Sequence, residues 1–282
     1  MRKSICLLAL CLILLLSACG ESGSSGGGSY IAPETTENNT AFQNDDHTYT
    51  DYQGGLMLVS CGSRYRADST LTVPAEHQGK AVVAVGQNAF NGCQMSAVEL
   101  PDSIQLIDGG AFKNCTQLER VSFGSGVTEI AGEVFMNCTS LTEITIPETV
   151  TEIRGNCFQG CTALTKVKLH NYITSIHGYA FSGCSALEEI TLPVEITEIR
   201  GNCFENCTSL KEILIPEGVT RIAAHAFRGC TSLAAVIVPG TVTEIGSSAF
   251  RDCPNLTAIE LPEGCQVDER AFKDTPAQII YS

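Results

Sequence analysis

The chain has 282 residues and an acidic balance, with 17 Lys+Arg against 31 Asp+Glu for a formal net charge of −14. That excludes a nucleic-acid surface, which needs a basic stripe to neutralise phosphates, and it excludes electrostatic docking on anionic lipid. The acidity itself is read as solubility.

In chain order, residues 1–18 read as an export signal. Arg2 and Lys3 make a positive start, and Ile5 to Leu16 make an apolar run too short to span a bilayer. The run closes on Leu16-Ser17-Ala18-Cys19, which resembles the bacterial lipobox. That resemblance implies a lipoprotein signal peptide, with Cys19 acylated and left as the first residue after cleavage. Acyl chains then anchor the protein to a bacterial membrane from outside the cytoplasm. Residues 19–51 begin with a Gly/Ser run and continue polar, with too little apolar content to fold alone. They are expected to act as a flexible tether.

From residue 52 to 282 the sequence repeats. Phenylalanine stands at 90, 112, 135, 158, 181, 204, 227, 250 and 272, at spacings of 22, six times 23, and 22. Three residues after the first eight stands a cysteine, from Cys93 to Cys253. A period in the twenties points to a leucine-rich-repeat solenoid. In one unit, Leu141-Thr-Glu-Ile144-Thr-Ile146-Pro147, the spacing ends in the in-out alternation of a half-buried strand. Pro147, without an N–H, stops that strand. Val150-Thr-Glu-Ile153 makes a second, shorter extended segment, and Arg154-Gly155-Asn156 turns the chain so that Cys157 and Phe158 re-enter the core. A lone coil orders its whole backbone but buries only part of each apolar side chain. Stacking into a parallel sheet must therefore supply the rest. The fold class is a curved solenoid with one parallel β-strand per repeat, short extended or turn segments opposite, and little helix.

The unit Leu-x-x-Ile-x-Ile-Pro-x-x-Val-Thr-x-Ile-x-x-x-Ala-Phe-x-x-Cys is similar to that of the BspA-like leucine-rich-repeat family of bacterial surface proteins, over about Leu71 to Tyr281. The resemblance implies a curved solenoid shown on the cell surface and used for binding or adhesion. Its partners would be host or bacterial surface proteins or glycans, with no nucleic acid. Departures are Val134, Cys157 and Cys203 at the alanine, Gly124 and His170 at the proline, and Thr275 at the ninth cysteine. A core or corner absorbs all of them. At the far end, Ile279-Ile280-Tyr281 make an apolar edge with no polar cap visible in the sequence.

The cysteine column invites a disulfide or metal reading. Thiols repeating in register with phenylalanine are better read as small buried hydrophobes packed without bonds. Cys157 with Cys161, and Cys203 with Cys207, have a possible metal spacing, but no histidine recurs beside them. No catalytic constellation and no phosphate loop is present, so no enzyme, metal or cofactor is expected. The position between the two strand isoleucines reads Glu99, Ser122, Thr145, Lys168, Thr191, Leu214, Ile237 and Glu260. Leu214 and Ile237 fall on adjacent coils with Ala234 and Ala235 beside them. With Lys168, these are the candidate binding residues on the concave strand face. On the other straight side Glu129, Glu152, Glu198 and Glu244 read as a solvated acidic row. The function expected is that of a lipid-anchored surface binding protein. The alternative is a structural envelope protein that stacks with its own copies.

Overall fold

A computed structural model describes residues 42–44, 47–60 and 69–282. The signal segment, Cys19 and the start of the tether lie outside the described residues.

The repeat folds as its periodicity predicts. In the coil around Phe158, the strand Glu143–Thr145 buries Ile144 and exposes Glu143 and Thr145, with Leu141 and Ile146 buried on either side. Pro147 ends the strand, Val150 and Ile153 turn inward, and the short strand Glu152–Ile153 runs along the opposite side. The next coil lies parallel and in register, Glu143 opposite Lys166 and Ile153 opposite Ile176. Each coil thus has a long-strand side and a short-strand side, and identical positions stack about 4.8 Å apart. The described residues contain no helix.

The corner that returns the chain to the core needs a left-handed residue. The residue before the cysteine position is Gly, Asn or Asp in every coil from Gly92 to Asp274, with φ between 58° and 76°. These are the residue types that tolerate this conformation. Behind the corner the nine phenylalanines form one column. Successive rings are stacked at centroid distances of 5.2 to 5.7 Å and within 9° of parallel. The column runs the length of a single core.

The short-strand ladder is interrupted twice. On the short-strand side, pairing runs continuously to Glu129–Ile130, then restarts at Glu152–Ile153 and again at Glu198–Ile199. Both restarts fall in the coils that carry Cys157 and Cys203, 1% exposed, where the pattern has alanine.

The N-terminal end is closed by strands. Phe42–Asn44 pairs antiparallel with His47–Tyr52, which pairs antiparallel with Gly55–Ser60, and that strand joins Lys80–Val85 in parallel. The last residues of the stretch read as tether, up to Asp51, therefore contribute strands to the sheet. Tyr49 is their apolar contribution: it is 1% exposed and its ring stacks on His77 at 4.4 Å. At the other end Gln278–Tyr281 pairs only with Ala258–Leu261 among the described residues, and leaves Ile280 and Tyr281 half exposed.

Candidate functional site

The cysteine column is packing with a hydrogen bond added. Each thiol from Cys115 to Cys253 donates from Sγ to the main-chain carbonyl of the phenylalanine one coil earlier, at 3.0 to 3.2 Å. Burial pushes the thiols of Cys161, Cys207 and Cys253 up to about 12, and those of Cys138, Cys184 and Cys230 well above the ordinary value. A thiol held protonated offers no nucleophile and no metal-binding thiolate. Among the described residues no group of three His, Cys, Asp or Glu is placed to hold a metal ion.

The long-strand side carries the candidate contacts. Leu214 and Ile237 are in-register neighbours on the paired strands Glu212–Leu214 and Ala235–Ile237, and each is 62% exposed. Ala235 points outward on the same strand opposite Glu212, and Ala234 precedes it, also exposed. These four residues form one apolar patch. Lys168 is exposed on the same side but belongs to a separate pair of strands, with the coil of Thr191 between it and Leu214. The structure therefore does not bring Lys168 to the patch.

A cleft of about 450 Å³ opens on the Ser122 and Thr145 coils, lined among others by Phe123, Ser125, Glu148 and Thr149. Its origin is the coil that breaks the pattern. Val121 and Phe123 are only partly buried, unlike Ile144 and Ile146 one coil on. Gly124 stands where proline is usual because the preceding corner comes so close that a Cβ would lie 2.2 Å from the Pro101 carbonyl oxygen. The Asp102 carboxylate accepts from the N–H and hydroxyl of Ser125 at 2.7 and 2.9 Å, bonds that hold its pKa below the usual carboxylate value. Gly124 was a visible departure in the sequence, but its consequence, a gap between two coils, depends on the neighbour's shape.

The acidic row on the short-strand side is ion-paired. Arg221 sits between Glu198 at 2.8 Å and Glu244 at 3.0 Å. Arg154 reaches Glu152 at 2.9 Å and Glu129 at 3.8 Å. In several coils a residue on either side of the buried isoleucine reaches solvent, as Glu152 and Arg154 do, and arginines occur in both columns. Half-exposed pairs of this kind each contribute at most about 1 kcal/mol.

These features define a class before they define a family: a parallel β-solenoid of nine phenylalanine-marked coils sharing one core, the architecture of a repeat protein. The chain belongs to the BspA-type leucine-rich-repeat family, whose repeat region matches residues 83–211 and 151–278. It is similar to the leucine-rich-repeat protein of T. pallidum, with 25% identity and a TM-score of 0.56 over 77% of this chain and 91% of that one. It is also similar to a leucine-rich cell surface protein of Faecalibacterium prausnitzii A2-165, with 22% identity and a TM-score of 0.52 over 87% of this chain and 96% of that one. No curated protein matches.

Proposed function

We propose that the protein is a lipid-anchored binding protein of the bacterial cell surface, without catalytic activity, and that its long-strand side contacts a protein or glycan partner. The observation that carries the reading is the pair Leu214 and Ile237. They are large aliphatic side chains on adjacent coils, each 62% exposed, at a position that is polar from Glu99 to Thr191 and again at Glu260, and aliphatic otherwise only at Ile280 of the last strand. Exposed apolar neighbours on a rigid sheet lose water readily to a partner and give up little conformational entropy in doing so. Surface display is supported by the family and by the F. prausnitzii neighbour, itself described as a cell surface protein. Anchoring is supported by Leu16-Ser17-Ala18-Cys19. The double variant Leu214→Asp, Ile237→Asp is expected to fold normally and to lower adherence of expressing cells to host matrix or to other cells at least tenfold. Unchanged adherence overturns the patch as the contact. Labelled fatty acid should enter the wild-type chain and not Cys19→Ala.

A second reading, self-association into an envelope structure, is favoured by Ile280 and Tyr281, 49% and 52% exposed on a strand with one bonded neighbour among the described residues. Concentration-dependent oligomers abolished by Ile279→Asp would select it.

A further inference from the structure

The two straight sides of the coils treat their carboxylates differently. On the short-strand side Glu152, Glu198 and Glu244 are ion-paired with Arg154 and Arg221. On the long-strand side Glu188 is paired with Lys211. Glu189, Glu212 and Glu260, all exposed on that side, have no ion-pair partner among the described residues. The earlier half of the same side is mixed, with Glu119 and Glu143 among the exposed Arg120, Lys166 and Lys168. Unneutralised negative charge is thus gathered on the coils from Glu189 to Glu260.

These three carboxylates bracket the apolar patch. Glu212 is two residues before Leu214 on the same strand and lies opposite Ala235. Glu189 is 23 residues before Glu212, and Glu260 is 23 after Ile237, so each continues a column of the patch by one coil. Ala258, also exposed, continues the column of Ala235. The outcome is an aliphatic strip of Leu214, Ile237, Ala235 and Ala258 along the solenoid axis, with an unpaired acid at each end. In a protein of net charge −14, a strip framed in this way attracts an apolar partner that carries cations and rejects one that carries acids.

The shape of the face limits what covers it. The strands Glu212–Leu214 and Ala235–Ile237 are 3 residues long, so a segment laid along them meets little more than one coil. A segment laid along the solenoid axis meets successive coils about 4.8 Å apart. An α-helix advances about 5.4 Å per turn, so its residues i, i+4 and i+7 stay near successive coils, drifting only about 0.6 Å at each. An extended peptide repeats a side every 6.6–6.8 Å or so and loses register after one coil. The strip also has no aromatic ring on which a sugar could stack.

We propose that this strip docks a cationic amphipathic helix of a protein partner. The apolar stripe of the helix lies over Leu214 and Ile237, and Lys or Arg one turn to either side meets Glu189 and Glu212 at one end and Glu260 at the other. The proposal rests on the reading of Leu214 and Ile237 as a contact surface, and narrows its partner to one class of protein segment.

The probe is a Leu/Lys peptide of about five helical turns, with Leu at i, i+3, i+4 and i+7. It is titrated into the purified full-length chain at about 0.15 M salt, where long-range attraction is screened. Anisotropy of a labelled peptide reads affinity, and far-ultraviolet circular dichroism reads helix formation. A peptide of the same residues in scrambled order, and a Leu/Glu peptide with the original spacing, serve as comparison probes. The Leu/Lys peptide is expected to bind saturably and to gain helix, and both comparison peptides to bind at least tenfold more weakly. Glu189→Gln, Glu212→Gln and Glu260→Gln together should weaken it at least tenfold. Glu99→Gln, Glu119→Gln and Glu143→Gln remove the same charge from the other half of the face and should change affinity less than twofold. Leu214→Asp with Ile237→Asp adds negative charge, yet should also weaken binding at least tenfold, because the apolar stripe loses its contact.

A scrambled peptide that binds as well overturns the helix. Equal losses in the two glutamine sets, or unchanged or tighter binding by the aspartate variant, mean diffuse attraction to an acidic protein and overturn the site. Adherence is read separately. If the aspartate variant adheres poorly while the peptides are not discriminated, the contact surface stands and its assignment to a cationic helix falls. If the peptide behaves as expected and adherence is unchanged, the helix site stands and its role in adherence falls.

Discussion

The Sγ of Cys161 donates to the main-chain carbonyl of Phe135, one coil back, at 3.1 Å, and the N–H of Cys138 bonds the same oxygen, also at 3.1 Å. One carbonyl thus ties its own corner to that of the next coil, and the thiol acts as a core side chain with a donor. This gives the column a chemical liability that an alanine or valine column would lack.

Stability is expected to fall steeply in alkali. An unfolded thiol ionises near pH 8.5, whereas Cys161, Cys207 and Cys253 in the fold hold their protons to about pH 12. Between those values the unfolded state has lost protons that the native state keeps. Stability contributed by each thiol is therefore complete below about pH 8.5 and declines above it by about 1.4 kcal/mol per pH unit. Three such thiols make the slope roughly 4 kcal/mol per pH unit, enough to exhaust an ordinary domain's stability within two or three units. Urea midpoints at pH 7, 8, 9 and 10 measure it. A midpoint flat to pH 10 would contradict the buried protonated column.

The phenylalanine column should show position dependence. Phe181 is sandwiched between Phe158 and Phe204 at 5.5 Å on both sides and is fully buried. Phe272 has one ring neighbour, Phe250, and is only partly buried. Phe181→Ala is expected to cost about 3–5 kcal/mol, as for a buried aromatic, and Phe272→Ala less than half of that. Equal losses, read from urea unfolding, would mean that the coils do not share one column.

Much of this is legible in the sequence. The interval between Phe135 and Phe158 and the Leu141, Ile144, Ile146 alternation fix coil length and inward faces, because each follows from a local rule of strand geometry. What escaped depends on which side chains meet across coils. The stacking of Tyr49 on His77 joins residues 28 apart outside the repeat period, and so hid the N-terminal cap. The cleft at Phe123 comes from how the Pro101 corner approaches Gly124. Leu214 and Ile237 were visible as neighbours because 23-residue spacing means adjacency here. Lys168 is 46 residues from Leu214, two coils away, and the same spacing puts it out of contact.

The ninth coil tests the thiol bond with a natural substitution. Thr275 stands where cysteine is usual, and its Oγ1 donates to the Phe250 carbonyl at 2.5 Å while accepting the N–H of Cys253 at 2.9 Å. A hydroxyl does both at once. Thr275→Val keeps the shape and removes both bonds, leaving the buried Cys253 N–H without its acceptor. It is expected to cost about 1–3 kcal/mol. Thr275→Cys, which restores the donor, should cost clearly less. If valine and cysteine prove equal in thermal or urea unfolding, the side-chain bond to the phenylalanine carbonyl contributes nothing.

Tyr179 tests what the left-handed corner costs. Its φ of 61° is uncommon for an aromatic residue, and asparagine holds the same place at 59° in Asn156 and 58° in Asn202. Tyr179→Asn relieves that strain at a corner where the side chain is 41% exposed. The variant is expected to be more stable than wild type by about 0.5–1 kcal/mol, with Tyr179→Gly gaining less because glycine adds entropy to the unfolded chain. In a domain of this size, 0.5–1 kcal/mol raises the melting temperature by roughly one to four degrees. The two variants are to be melted side by side with wild type at neutral pH. If Tyr179→Asn melts lower, the tyrosine side chain supports the corner by more than its backbone costs. If it melts higher, the corner bears the strain of a side chain that does not favour this conformation, as it also does at Glu133 and His225, both at φ 62°.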